Sequence, residues 1–153
     1  MLHHCRFTPR LTPQACLSVF LLWERRKAER SHWLNYINSL PPTFSTPPYF
    51  TDTELTFLPT TIRQKASAEK QKVLETYAEI HSHCKQSWSH FHQCLDYESY
   101  RWAWSVVNTR SVYMDMGLCE FISREEPNNM ALAPFLDLLN HSPTANVSFT
   151  QYH

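Results

Sequence analysis

A single glycine, Gly117, serves a chain of 153 residues. Phosphate-cradling loops and tight left-handed turns rely on glycine, because a residue without Cβ adopts positive φ at no steric cost. Glycine loops of the nucleotide-binding kind are therefore excluded. Proline is plentiful by contrast, and Leu40-Pro41-Pro42 and Thr46-Pro47-Pro48 each remove backbone donors and fix φ. Residues 40–50 accordingly read as an extended connection between two helical stretches.

On either side of that connection the apolar residues recur at helical spacing. Thr12 followed by Pro13 is a helix start, after which Ala15, Cys16, Val19, Phe20, Leu22 and Trp23 fall on one broad face. The far end of this helix, Glu-Arg-Arg-Lys-Ala-Glu-Arg at 24–30, is a basic run suited either to solvent or to an acidic partner. A second short helical turn is expected around His32 to Asn38. Thr51 with Glu54 resembles a capping box for a short helix that Pro59 ends.

The longest helix is expected from about Thr61 to about Lys85, with Ile62, Ala66, Val73, Tyr77, Ile80 and Cys84 on one apolar stripe. A further helix between about Asp96 and Arg110 places Tyr97, Tyr100, Trp104 and Val107 together, which predicts an aromatic core. Past residue 112 the pattern changes to a loop, an apolar run over 130–139, a turn at Ser142-Pro143 and a strand from Asn146 to Thr150. Helix gives way to sheet, so the fold class is α+β.

Charge and cysteine usage narrow the partners. Fourteen basic and fourteen acidic residues cancel, so no overall field recruits nucleic acid or an anionic membrane. Five cysteines, odd in number and without paired short spacing, point to reduced thiols and hence to a cytoplasmic or nuclear setting. The apolar stretch 15–23 lacks a small-residue cleavage site after it and reads as an amphipathic helix rather than a signal peptide.

The chemistry concentrates at 131–142, Ala-Leu-Ala-Pro-Phe-Leu-Asp-Leu-Leu-Asn-His-Ser. An apolar run closed by Asp137, Asn140 and His141 reads as a core segment that stops at a ligand pocket, since these side chains are costly to bury unsatisfied. The plainer alternative is a strand ending in an Asx turn with His141 at the surface.

This string, preceded by Tyr-Arg-Trp-Ala-Trp-Ser-Val-Val-Asn-Thr-Arg at 100–110, resembles the SET-domain protein methyltransferases. It is similar to the subclass that carries a large helical insertion and is related to the Rubisco large-subunit lysine methyltransferase. The two motifs stand in the order and near the separation that the family shows. A looser likeness runs from about residue 12 to about residue 150.

The resemblance implies a mostly α-helical SET insertion at 12–110, an N-terminal remnant at 1–11, and the start of the C-terminal part of the SET β-fold at 111–153. It implies S-adenosyl-L-methionine as cofactor and protein-lysine N-methylation as the reaction, although a related branch methylates histidine. The implied cofactor-binding residues are Arg110, at the close of its helix, with Asp137, Leu138, Leu139, Asn140 and His141. A guanidinium there suits the cofactor's carboxylate or a neighbouring acidic group; the alternative role for Arg110 is to cap carbonyls of its own helix. The expected partner is a protein substrate, with no nucleic acid, no membrane and a monomeric chain.

Complete family members carry a glycine-containing cofactor loop upstream of the insertion and a channel-lining tyrosine downstream. No glycine precedes residue 117, and Tyr152 lies too close to His141 to be that tyrosine. The expectation is therefore a piece of such an enzyme that is not competent alone. Two other readings stand beside it. His81, His83, Cys84, His90, His92 and Cys94 put six potential zinc ligands within fourteen residues, although their spacing matches no established zinc signature. The helices alone also suit a non-catalytic interaction module.

Overall fold

The computed structural model describes residues 10–114, 117, 122–123, 130–139 and 142–144. Helix α1, Pro13–Arg26, starts where Thr12 accepts a hydrogen bond from the Ala15 amide, with Pro13 inside the first turn. A missing N–H costs nothing there, because that donor has no partner in a helix anyway. At the far end Lys27 closes the helix and Ala28 stands next at φ 48°. A left-handed residue after a helix end is usually glycine. With so little glycine in the chain, an alanine carries that conformation and its strain.

Short helix α2, Leu34–Ser39, precedes the proline-rich connection. That connection contains one 3-10 turn, Pro47–Tyr49, and is bonded to the helices around it: Trp102 Nε1 donates to the Pro41 carbonyl at 2.8 Å and Lys70 Nζ to the Phe50 carbonyl at 2.8 Å. Helix α3, Asp52–Thr56, has the expected capping box, with Thr51 and Glu54 bonding each other's backbone amides. It ends at Thr56, before Pro59 is reached.

Helix α4, Thr60–Ser87, buries Ala66, Val73, Ile80 and Cys84 along the expected stripe. Ile62, in the first turn of the helix, departs from it and is 50% exposed. After the short α5, Ser89–His92, helix α6, Tyr97–Arg110, begins at Asp96, whose side chain accepts from the Ser99 amide.

Helix α6 is the centre of the molecule. It buries Tyr100, Trp102, Ala103, Trp104, Ser105, Val106 and Val107, more of its circumference than a single stripe. It is flanked by α1 and α4, which contribute Val19, Val73 and Ile80 to the same core. Burying several large side chains in one such cluster supplies most of the stability of a domain this small.

The sheet is small. Strand β1, Ser111–Tyr113, continues directly from α6 and pairs antiparallel with β2, Met130–Leu132, in the register Ser111 with Leu132, Val112 with Ala131 and Tyr113 with Met130. An isolated parallel bridge joins Leu11 to Ile122. The architecture is thus α+β, a helical body with the beginning of a sheet at one end. Among the described residues no helix is long and apolar enough to cross a membrane.

The run 130–139 differs from the buried segment expected of it. It is a three-residue strand that leads into a 3-10 turn, Leu136–Leu138, and Phe135 at φ 80° is 78% exposed. Leu138 and Leu139 are exposed as well. Pro134 stops the strand by removing a ladder donor, and the helical body leaves Phe135, Leu138 and Leu139 uncovered. The strand expected over 146–150 lies outside the described residues.

Candidate functional site

Arg110 is the last residue of α6, and β1 turns away immediately after it. The pairing of β1 with β2 brings the segment after β2 back beneath that helix end. As a result Arg110 Nη1 donates to the Asp137 carbonyl at 3.0 Å and stands 3.9 Å from the Asp137 carboxylate. The arginine serves a carbonyl of the returning segment, not one of its own helix.

The Asp137 side chain is 3% exposed, against 25% for Arg110. A carboxylate so enclosed needs partners. Besides the guanidinium it has Tyr36, whose hydroxyl donates to Asp137 Oδ2 at 2.8 Å across 101 residues of sequence. Burial first, then the bond to Asp137 and its charge, push the Tyr36 hydroxyl well above the ordinary tyrosine pKa, with Arg110 pulling the other way. At neutral pH Tyr36 is a donor, as the geometry requires. Asp137 Oδ1 is buried and has no hydrogen-bond partner among the described residues.

A cavity of about 210 Å³ opens beside this corner, between α1, α2 and β2, lined by Leu17, Phe20, Leu21, Trp33, Tyr36 and Leu132 among others. Its walls are almost wholly apolar side chains, with Glu24 at one edge. Glu24 is itself buried and satisfied by Ser31 Oγ at 2.8 Å and by the Lys27 ammonium.

The residues expected at the site thus divide. Arg110 and Asp137 are brought together; Leu138 and Leu139 adjoin them as exposed side chains. Asn140 and His141 lie outside the described residues. Tyr36 was missed, and no local signal marks it: one of seven tyrosines, it lies in a six-residue helix remote in sequence from the corner.

The six histidines and cysteines between 81 and 94 do not assemble into a metal centre: no cluster of three or more potential ligands occurs among the described residues. His81 and His92 lie 4.2 Å apart between ring centroids with their planes tilted by 46°, Cys84 is buried in the α4 stripe, and Cys94 is exposed. Successive residues of a helix point to different faces, which scatters the donors.

No family model matches the chain, and no solved structure does. Among characterised proteins it is similar to mouse SET domain-containing protein 4, at 33% identity over 93% of this chain and 33% of the mouse protein. It is also similar to the ribosomal lysine N-methyltransferase set10 of Schizosaccharomyces pombe, at 30% identity over 86% of this chain and 22% of that protein. The actin-histidine N-methyltransferase of Danio rerio matches at 30% identity over 82% of this chain and 21% of that protein. The chain therefore spans about one third or less of the length of these curated relatives. Over most of its length it is homologous to SET domain-containing protein 4 and to lysine and histidine N-methyltransferases.

Proposed function

We propose that this chain contributes the helical portion and one wall of the cofactor site of an S-adenosyl-L-methionine-dependent protein methyltransferase. The observation that carries the reading is the reach of Arg110 from the end of α6 to Asp137, the two positions at which the family likeness puts cofactor-binding residues. The residues present fit such a ligand. Asp137 Oδ1 is a buried acceptor to which no described residue donates, and Arg110 commits only Nη1 to Asp137 while a guanidinium carries five donors suited to a carboxylate.

The electrophilic methyl group comes with S-adenosylmethionine when it is bound. What the protein's own residues do is bind, orient and exclude water: Arg110 and Asp137 fix polar ends, and the apolar walls around Leu17, Phe20 and Leu132 keep the neighbourhood dry. Asn140 and His141 complete the proposed set. The acceptor is a protein side chain, for which we favour lysine on the likeness to SET domain-containing protein 4, and the setting is cytoplasmic or nuclear. No glycine precedes residue 117, so the glycine-containing loop of the family's cofactor site is not among these residues, and binding by the chain alone is weak.

Amide chemical shifts recorded during a titration with S-adenosylhomocysteine to millimolar concentration test this. Perturbations centred on Tyr36, Arg110 and 130–144, without methyl transfer by the chain alone, are the expected result. An unperturbed spectrum, or perturbations confined to the far side of the helical body, overturns it.

A further inference from the structure

We infer that Tyr36 is a positioning residue that turns the Asp137 carboxylate so that its second oxygen receives a nitrogen donor from an amine-bearing ligand. The inference rests on the reading of the Arg110–Asp137 corner as the cofactor site, and names the part of the ligand that this carboxylate takes.

Three acceptors belong to Asp137, and the structure assigns partners to two. The main-chain oxygen takes Arg110 Nη1 at 3.0 Å, and Oδ2 takes the Tyr36 hydroxyl at 2.8 Å. Oδ1 takes nothing from the described residues, although its side chain is 3% exposed. A buried acceptor without a donor is rare, and each such case calls for an explanation. Free rotation about the last side-chain torsion does not offer one, because the phenol holds one oxygen and thereby fixes where the other points.

Tyr36 is well made for this task. Its ring is rigid, it edges against Trp33 at 6.5 Å between centroids, and its helix is anchored by buried Ile37. The hydroxyl spans from the helical body to the returning segment, so the carboxylate is oriented before any ligand arrives. Such preorganisation spares the ligand the cost of ordering its own binding group. The nearby guanidinium stands 3.9 Å from Oδ2, the oxygen that Tyr36 already holds. A buried anionic oxygen of this kind selects an amine or ammonium over a neutral apolar group.

The test compares S-adenosylhomocysteine with methylthioadenosine, which has the same nucleoside but neither amine nor carboxylate, by chemical-shift titration of the wild type, Tyr36→Phe and Asp137→Asn. Tyr36→Phe is expected to keep its melting temperature within a few degrees and to lose about fivefold in affinity for S-adenosylhomocysteine, with methylthioadenosine unaffected. Asp137→Asn is expected to lose the same discrimination, and decides the matter should Tyr36→Phe fail to fold. Unchanged discrimination in both variants overturns the positioning role while leaving the cofactor reading intact. An equal loss for both ligands shows Tyr36 to be a wall residue only and also overturns it. Failure of the wild type to bind either ligand removes the cofactor reading itself.

Discussion

The helical body and the corner beyond β2 are built on opposite terms. In the body, Val19, Val73, Ile80, Tyr100, Trp104, Val106 and Val107 are essentially without solvent exposure, and helix α6 is covered on most sides by its own chain. In the corner, Phe135, Leu138 and Leu139 stand in solvent, and order comes from polar bonds at Asp137. The difference teaches where stability and chemistry reside: packing makes the body indifferent to single polar changes, and the corner depends on Arg110 and Tyr36.

The largest expected effect breaks the body. Trp104→Ala removes a fully buried indole from the centre of the core and is expected to cost about 3–5 kcal/mol in urea denaturation, enough to unfold much of the population. Arg110→Ala is expected to cost less, about 1–2 kcal/mol, because the guanidinium is partly solvated and one charge-assisted bond is lost. Its mark is regional: hydrogen exchange over 130–139 accelerates while α4 and α6 keep their protection. A uniform loss across both regions would erase the contrast.

Smaller changes sharpen the comparison. Ala28→Gly relieves the left-handed backbone after α1 and is expected to stabilise the body by about 1 kcal/mol in the same denaturation experiment. Smaller still is a pH effect at the α4–α5 junction. Burial, then His81, then Lys85 lower the pKa of His92, so the fold prefers the neutral imidazole. That preference contributes stability above the ordinary histidine value of about 6.5 and is lost as pH falls through the lowered folded value. Thermal stability should therefore decline as pH falls from about 6.5 through that lowered value, and His92→Gln should flatten the decline.

Legibility in the sequence divides along the same line. Periodicity located every long helix because each satisfies its own backbone and shows one face, and Thr12, Thr51 and Asp96 mark helix starts by chemistry that is local. The apolar run at 130–139 reads as buried because hydrophobicity reports a need for cover and not whether cover is supplied. Asp137 was legible as the polar close of an apolar run, whereas Arg110 was legible as a site residue only through the family likeness. Tyr36 was not legible at all, since its partner is 101 residues away and nothing in its own helix distinguishes it.

Ultraviolet cross-linking with methyl-labelled S-adenosylmethionine, mapped by peptide mass spectrometry, tests the central claim most directly, because it records even weak occupancy. Label in the peptide that contains Asp137, diminished by Arg110→Ala, is the predicted result. Label confined to α4 and α5, or label in the Asp137 peptide that Arg110→Ala leaves undiminished, would contradict it.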